Sequence, residues 1–210
     1  MLQRTEPVLD TLVLQQEDLS PLSGHYEPCQ GGEADSLTFE YSGEGESLEI
    51  EDVGRGEAYD GPIDYSSFCD DDSGAFASSL VALPRDKELL LFWRGVNADL
   101  ASDGGDLKKL AEASSDDLHE EEELLDYRTL SALSLGDSHH VWVRTVDNLE
   151  TGQRFEIYEF DFTRGILLAG LSVELPSSPT AENEAFSVAT AFDNRIAAQL
   201  ESLSADVQAP

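Results

Sequence analysis

Asp70-Asp71-Asp72-Ser73-Gly74 sets three consecutive carboxylates and a hydroxyl ahead of a glycine, and such oxygen-rich loops suit a hard cation such as Ca2+. The spacing is not that of an EF-hand. The loop therefore reads either as a weak Ca2+ site with Asp70, Asp71 and Asp72 as ligands, or as a solvated turn beside Cys69. His139-His140 is the second candidate. It stands at the start of a predicted strand, where neighbouring side chains point to opposite faces, so the two imidazoles do not readily share a metal. One is expected to be exposed and the other half-buried. His119-Glu120 opens like a zinc-peptidase motif, but no second histidine follows at the required place. Gly43-Glu44-Gly45 and Gly54-Arg55-Gly56 lack the third glycine and following helix of a dinucleotide site, and there is no nucleophile elbow or phosphate loop. With 44 Asp plus Glu, neighbouring carboxylates arise by abundance alone, so no pair is singled out for acid–base work. No catalytic or cofactor-binding residue is assigned.

Cys29 and Cys69 belong to no CxxC pair and no zinc-like spacing. If bridged, they close a loop of roughly 40 residues, worth about 4 kcal/mol in the chain-entropy picture, and imply an oxidising compartment. Two unrelated buried thiols are the alternative.

The elements that must position these residues are set by composition and pattern. The 210 residues fit one domain, and 40% hydrophobic content is enough to build a core without metals. The charge is extreme: 44 acids stand against 12 Lys plus Arg, for a formal net charge of −32. Repulsion at that density strains the compact state, and salt relieves it by shortening the Debye length to about 3 Å at 1 M. Only Lys87, Lys108 and Lys109 are lysines. Acids spread along the whole chain read as a solvated surface adapted to high salt, with an acidic patch for a basic partner as the competing reading. Direct nucleic-acid binding is not expected, because phosphate needs clustered Lys and Arg. No apolar run is long enough to span a membrane, and the start Met1 to Pro7 carries no apolar leader segment. The chain is expected to be extracellular or at the cell surface if a leader has been removed, and cytoplasmic otherwise.

Residues 1–75 are loop-rich, with short alternating strands at Leu37 to Tyr41 and Leu48 to Glu51 that pair as a hairpin. Residues 76–205 are more regular. Phe76 to Leu83 and Glu88 to Gly95 flank a polar turn and read as a second hairpin, with a helix over the Ala- and Ser-rich first arm as the alternative. Asn97 to Asp126 reads as a central helical segment whose acidic run Glu120 to Glu123 reads as a solvated face, with a ligand or partner site as the competing reading. His140 to Val146, Arg154 to Phe162 and Ile166 to Leu175 form an antiparallel meander over about 138–175. In its middle strand Phe155 and Ile157 are out of phase with Tyr158, Phe160 and Phe162, which means a bulge or burial on both faces. Ser178-Pro179 caps a final helix over about 179–203, whose Ala185, Ala189, Phe192, Ile196, Leu200 and Leu203 recur every three or four residues. The predicted class is α+β, a single domain of antiparallel sheet packed by this long helix.

Leu14-Gln15-Gln16-Glu17-Asp18-Leu19, followed by Gly24-His25-Tyr26, resembles the Asp-Leu-Pro-x-Gly-aromatic start of many prokaryotic surface lipoproteins, although Ser20 precedes the proline and two extra residues intervene. Leu135-Gly136-Asp137-Ser138 and Arg164-Gly165-Ile166-Leu167, with the closing helix, resemble the signature of mycobacterial kinase extracellular sensor domains over roughly residues 76–203. The resemblance implies an α+β sandwich displayed outside the membrane with a ligand-binding surface, and no catalytic residues to carry over.

Three functions follow as expectations: a non-enzymatic ligand-binding or sensor-like module of a halophile, a cytoplasmic acidic interaction protein that acts as a chaperone or nucleic-acid mimic, or a hydrolase of unrecognised type. The ligand or partner is not identified by sequence. Salt adaptation makes a direct prediction. The thermal unfolding midpoint should rise markedly between about 0.1 M and about 2 M KCl, and a flat or falling midpoint in a salt titration contradicts it.

Overall fold

The computed structural model describes residues 9–29, 39–43, 46–50, 63–83, 94, 122–130 and 133–208. The meander forms where the alternating pattern places it, as β7 (Ser138–Asn148), β8 (Arg154–Arg164) and β9 (Leu167–Pro176). Gly165, at φ 61°, supplies the left-handed residue of the tight turn from β8 to β9. At the preceding turn the Asn148 side-chain oxygen accepts the backbone N–H groups of Glu150 and Thr151 at 3.1 and 2.9 Å. Leu167, Ala169, Leu171, Val173 and Leu175 of β9 are all buried, as period-two alternation requires. In β8 the register is unbroken on both sides, so the phase mismatch reflects burial on two faces and not a bulge. Tyr158, Phe160 and Phe162 enter the main core, while Ile157 is buried on the opposite face.

The closing helix, α1, spans Ala181–Gln208. Its start lies beyond the expected Ser178 cap because Ser177 still donates its N–H to Arg154 in the sheet, at 2.8 Å. Ser178 instead closes a turn onto the Thr180 N–H, and the Thr180 carbonyl takes the first helical bond, from Glu184 at 2.9 Å. Ala185, Ala189, Phe192 and Ile196 are buried, Leu200 packs partly against them, and the Leu203 side chain lies outside the described residues. Phe192 meets Phe162 edge to face at 5.8 Å between ring centroids.

The N-terminal part contributes β1 (Glu27–Pro28), β2 (Phe39–Gly43), β3 (Glu46–Ile50), β4 (Ile63–Asp70) and β5 (Ala75–Ala82), and β6 spans Glu122–Thr129. The strands order as β1-β4-β5-β9-β8-β7-β6 in one seven-stranded sheet, and every pairing is antiparallel. β2 and β3 form the expected hairpin as a separate sheet, with Phe39 opposite Ile50 and Tyr41 opposite Leu48. The described helix α1 and the segment from Leu9 to Tyr26 share one core with the sheet. Leu12, Leu14 and Leu19 are buried there, so the loop-rich start is a working part of the core. It is held by Ser79, whose hydroxyl accepts the Leu14 N–H at 2.7 Å, and by Ser66, whose hydroxyl donates to the Leu14 carbonyl at 2.8 Å.

Two expectations fail. The central helical segment runs to Asp126, yet Glu122–Thr129 is an edge strand paired to β7, with a register shift between Leu124 and Asp126. Cross-strand pairing overrides the helical composition there. Residues 97–121, with His119, lie outside the described residues. The second hairpin also fails, because β5 pairs with β4 and β9, and Arg94, from its supposed other arm, is helical.

Phe192→Ala should destabilise the fold by about 3 to 5 kcal/mol, through lost transfer energy and the cavity left under Phe162. Glu123→Gln on the exposed edge should change stability by less than about 0.5 kcal/mol. Denaturant melts of the two variants check the assignment of core and surface.

Candidate ligand-binding face

Asp70 ends β4 and is buried, and its carboxylate is committed to the turn that follows. It accepts the Ser73 hydroxyl at 2.7 Å and the Asp72 N–H at 3.3 Å, while Asp71 and Asp72 are exposed. The three carboxylates are thus not gathered around one point, and among the described residues no group of three or more His, Cys, Asp or Glu side chains is placed to hold a metal ion. Beside this turn Cys29 and Cys69 form a disulfide, with Cα atoms 5.1 Å apart. It ties the short edge strand β1 to β4, where Glu27 lies opposite Cys69.

The residues behind the lipoprotein-like pattern come together for a structural purpose. Asp137 accepts the Gly165 N–H at 2.8 Å and Arg94 at 3.0 Å, which fixes the β8–β9 turn. Arg164 grips Asp193 of α1 with two hydrogen bonds, and the Gly136 N–H adds a third at 3.2 Å. Gly136 has φ 54°, and a Cβ there would stand 2.2 Å from the Thr163 carbonyl, so the approach needs glycine. Asp18 takes Arg195 through two bonds of 2.7 and 2.9 Å, tying the N-terminal segment to α1. Each described arginine is engaged by a carboxylate in this way.

Among the described residues His140 and Arg144 carry buried, unpartnered nitrogens on the sheet face turned away from α1, and the Tyr26 hydroxyl is a further unpartnered group in the main core. Register places the groups of that face in rows: His140 is opposite Asp161, which is opposite Gly170, and Trp142 is opposite Glu159, which is opposite Ser172. Tyr127 of β6 lies opposite Arg144. Arg144 donates to Glu159 at 2.7 Å, and the His140 and Trp142 rings lie 4.9 Å apart. In the neighbouring strands this face carries Gly170, Ser172 and Ser78 together with the buried Leu80 and Leu168. His140 is 2% exposed, and neither ring nitrogen has a hydrogen-bond partner; the Arg144 Nε is buried and unpartnered as well. His139, on the other face, is half-buried and its Nδ1 lies 3.1 Å from the Leu135 carbonyl. The expected opposite-face geometry holds, but the pair is more buried than predicted because β7 is an interior strand.

Burial, with a smaller push from His139, lowers the His140 pKa to about 4, so the ring is neutral at physiological pH. Burial, then the nearby Glu159, raises the Asp161 carboxyl well above the usual range. Asp161 keeps some solvent contact at its edge. The same two causes, in the same order, raise the Tyr127 hydroxyl. Buried polar groups are ordinarily hydrogen-bonded, and an unmet one costs about 1 to 3 kcal/mol. The sequence does carry a signal for this face: His140, Trp142 and Arg144 fall at period two, as do Glu159 and Asp161, in strands flanked by others on both sides.

No family model matches the chain, and no curated protein matches it by sequence. A mutant of the protein Mog1 is a solved structure that it is similar to, at 10% identity over 65% of this chain and 77% of that chain, with a TM-score of 0.23. A likeness at that score carries no argument about fold or function.

The lowered His140 pKa fixes a sign for pH dependence. Between about 6.5 and 4 the unfolded chain takes up a proton at this residue and the folded chain does not, so its contribution is full above about 6.5 and is lost as pH falls towards 4. Asp161, raised in the fold, acts in the opposite sense: its contribution is present at low pH and lost as pH rises. Melting His140→Phe beside the parent chain isolates the histidine, and the variant's advantage should widen as pH drops through that window.

Proposed function

We propose that the protein is a non-enzymatic ligand-binding module of a salt-adapted organism, working outside the cytoplasm, with the His140 face as its site. One observation carries the reading: two ring nitrogens and a guanidinium nitrogen are buried without partners, next to a half-buried tryptophan. A fold under selection for stability alone would replace them with apolar groups, which is often neutral or stabilising. The Cys29–Cys69 disulfide supports the compartment, since such bridges persist where the surroundings oxidise. The charge of −32 supports the salt adaptation.

The placing of His140 opposite Asp161 also favours a second reading, a hydrolase of unrecognised type in which the neutral His140 serves as base. Turnover of a generic ester substrate that disappears in His140→Phe would favour it over simple binding.

At neutral pH His140→Phe should melt no lower than the parent chain, because it removes orphaned polar atoms at similar volume. A clear fall would mean that the ring is built into the core as a structural group, and the site would lose its support. The compartment is tested apart from this. Protein recovered from its native cells without reductant should lack both thiol hydrogens by intact mass, and Cys29→Ser should cost about 4 kcal/mol from the 40-residue separation. Two free thiols in native material would place it in a reducing compartment.

A further inference from the structure

We propose that the Cys29–Cys69 disulfide is a redox latch: oxidised, it holds β1 as a cap on the end of β4, and its reduction by a dithiol frees β1 and uncovers the β4 main chain. The latch stands apart from the His140 face, with β4, β5, β9 and β8 between β1 and the histidine's strand.

Register shows what β1 does. Glu27 lies opposite Cys69 and Pro28 opposite Phe68, and the Cys29 N–H donates to the Ser67 carbonyl at 3.2 Å. Bonded and non-bonded pairs alternate along an antiparallel ladder, so Cys29 with Ser67 and Glu27 with Cys69 are bonded pairs, and Pro28 falls between them. The Pro28 nitrogen therefore faces outward, where an added strand would need an N–H and finds none. β1 blunts the edge of β4.

Two residues of pairing are a weak hold by themselves. Glu27 and Pro28 are exposed, so burial adds little, and the Glu27 carboxylate contacts His25 of its own segment at 3.1 Å. The disulfide supplies the rest, running diagonally across the pair with Cα atoms 5.1 Å apart. Release of β1 stops at Tyr26, which is buried in the main core and whose carbonyl accepts the Gln16 side-chain amide. Residues 27–29 lie outside that core, so the sheet, α1 and Leu9 to Tyr26 stay packed when β1 leaves.

Both cysteines are half-buried, within reach of a small thiolate. A dithiol in its thiolate form attacks one sulfur, the S–S bond breaks and a mixed disulfide forms, and the second thiol of the reductant then displaces the protein sulfur. Two electrons and two protons pass to the protein, leaving Cys29 and Cys69 as thiols and the reductant as its own disulfide. In an oxidising compartment the latch rests closed.

Hydrogen exchange of the full chain in about 2 M KCl, read by mass spectrometry before and after dithiothreitol, tests the latch. Reduction without denaturant should speed exchange roughly tenfold or more in segments 27–29 and 67–69, while β8 and β9 stay protected over the same interval even though the melting midpoint falls. Reoxidation should restore the slow rates. Cys29→Ser and Cys69→Ser should each show the fast pattern with no reductant present, which separates loss of the bridge from any effect of the reagent. A bridge that is reduced only after denaturation overturns the access that a latch needs. Unchanged exchange in both segments of the reduced chain overturns the proposal as well, since β1 would then hold without the bridge. Loss of protection in β8 and β9 over that interval would make the disulfide a staple of the whole fold and not a latch on its edge.

Discussion

An interior strand has two faces to keep from water, and β8 has one fully apolar stripe with which to do it. Tyr158, Phe160 and Phe162 fill the space beneath α1, where Phe192 closes on Phe162. The rest of the architecture follows from that contact. β9 supplies a matching stripe from Leu167 to Leu175, α1 lies across both strands, and the segment from Leu9 to Tyr26 fills the remaining side of the same core. The opposite stripe of β8 alternates Ile157 with Glu159 and Asp161, so the second face carries charge among interior strands. That asymmetry is the physical origin of the candidate site.

Charge is managed pair by pair. In a chain with 44 acids, each described arginine becomes a bridge between elements: Arg195 joins α1 to the N-terminal segment, Arg164 joins β8 to α1, and Arg144 crosses from β7 to β8. Exposed pairs of this kind are individually worth little, about 0 to 1 kcal/mol. The Asp18–Arg195 and Asp193–Arg164 contacts are largely buried and bidentate, and breaking one partner there leaves an uncompensated charge. Exposed acids such as Asp71, Asp72 and Glu123 face solvent, where their repulsion responds to salt.

Long regular patterns were legible in the sequence and short or tertiary ones were not. The meander and the closing helix could be read because apolar residues in β9 and α1 repeat over enough positions to exceed noise. The segment from Leu9 to Tyr26 has no period, since its burial comes from docking and not from a regular element of its own. β4 was hidden because its core-facing positions include Ser66 and Asp70, which are placed by hydrogen bonds to Leu14 and Ser73. β6 reads as helix in composition and becomes a strand because β7 offers it an edge. The candidate site followed the same logic. His139-His140 could be recognised as opposite-facing, but the placing of His140 opposite Asp161 depends on a strand register that spacing alone does not reveal.

The account turns on whether the His140 ring is held neutral and closed off inside the second sheet face. Long-range proton–nitrogen NMR of the full chain, followed as pH is lowered from about 7 to about 5, reads this directly. The account predicts a neutral imidazole in one tautomer, with ring-nitrogen shifts unchanged across the range. A His140 ring that titrates with an ordinary midpoint near 6.5 would contradict it, since such a ring would be open to water and would leave nothing orphaned for a ligand to satisfy.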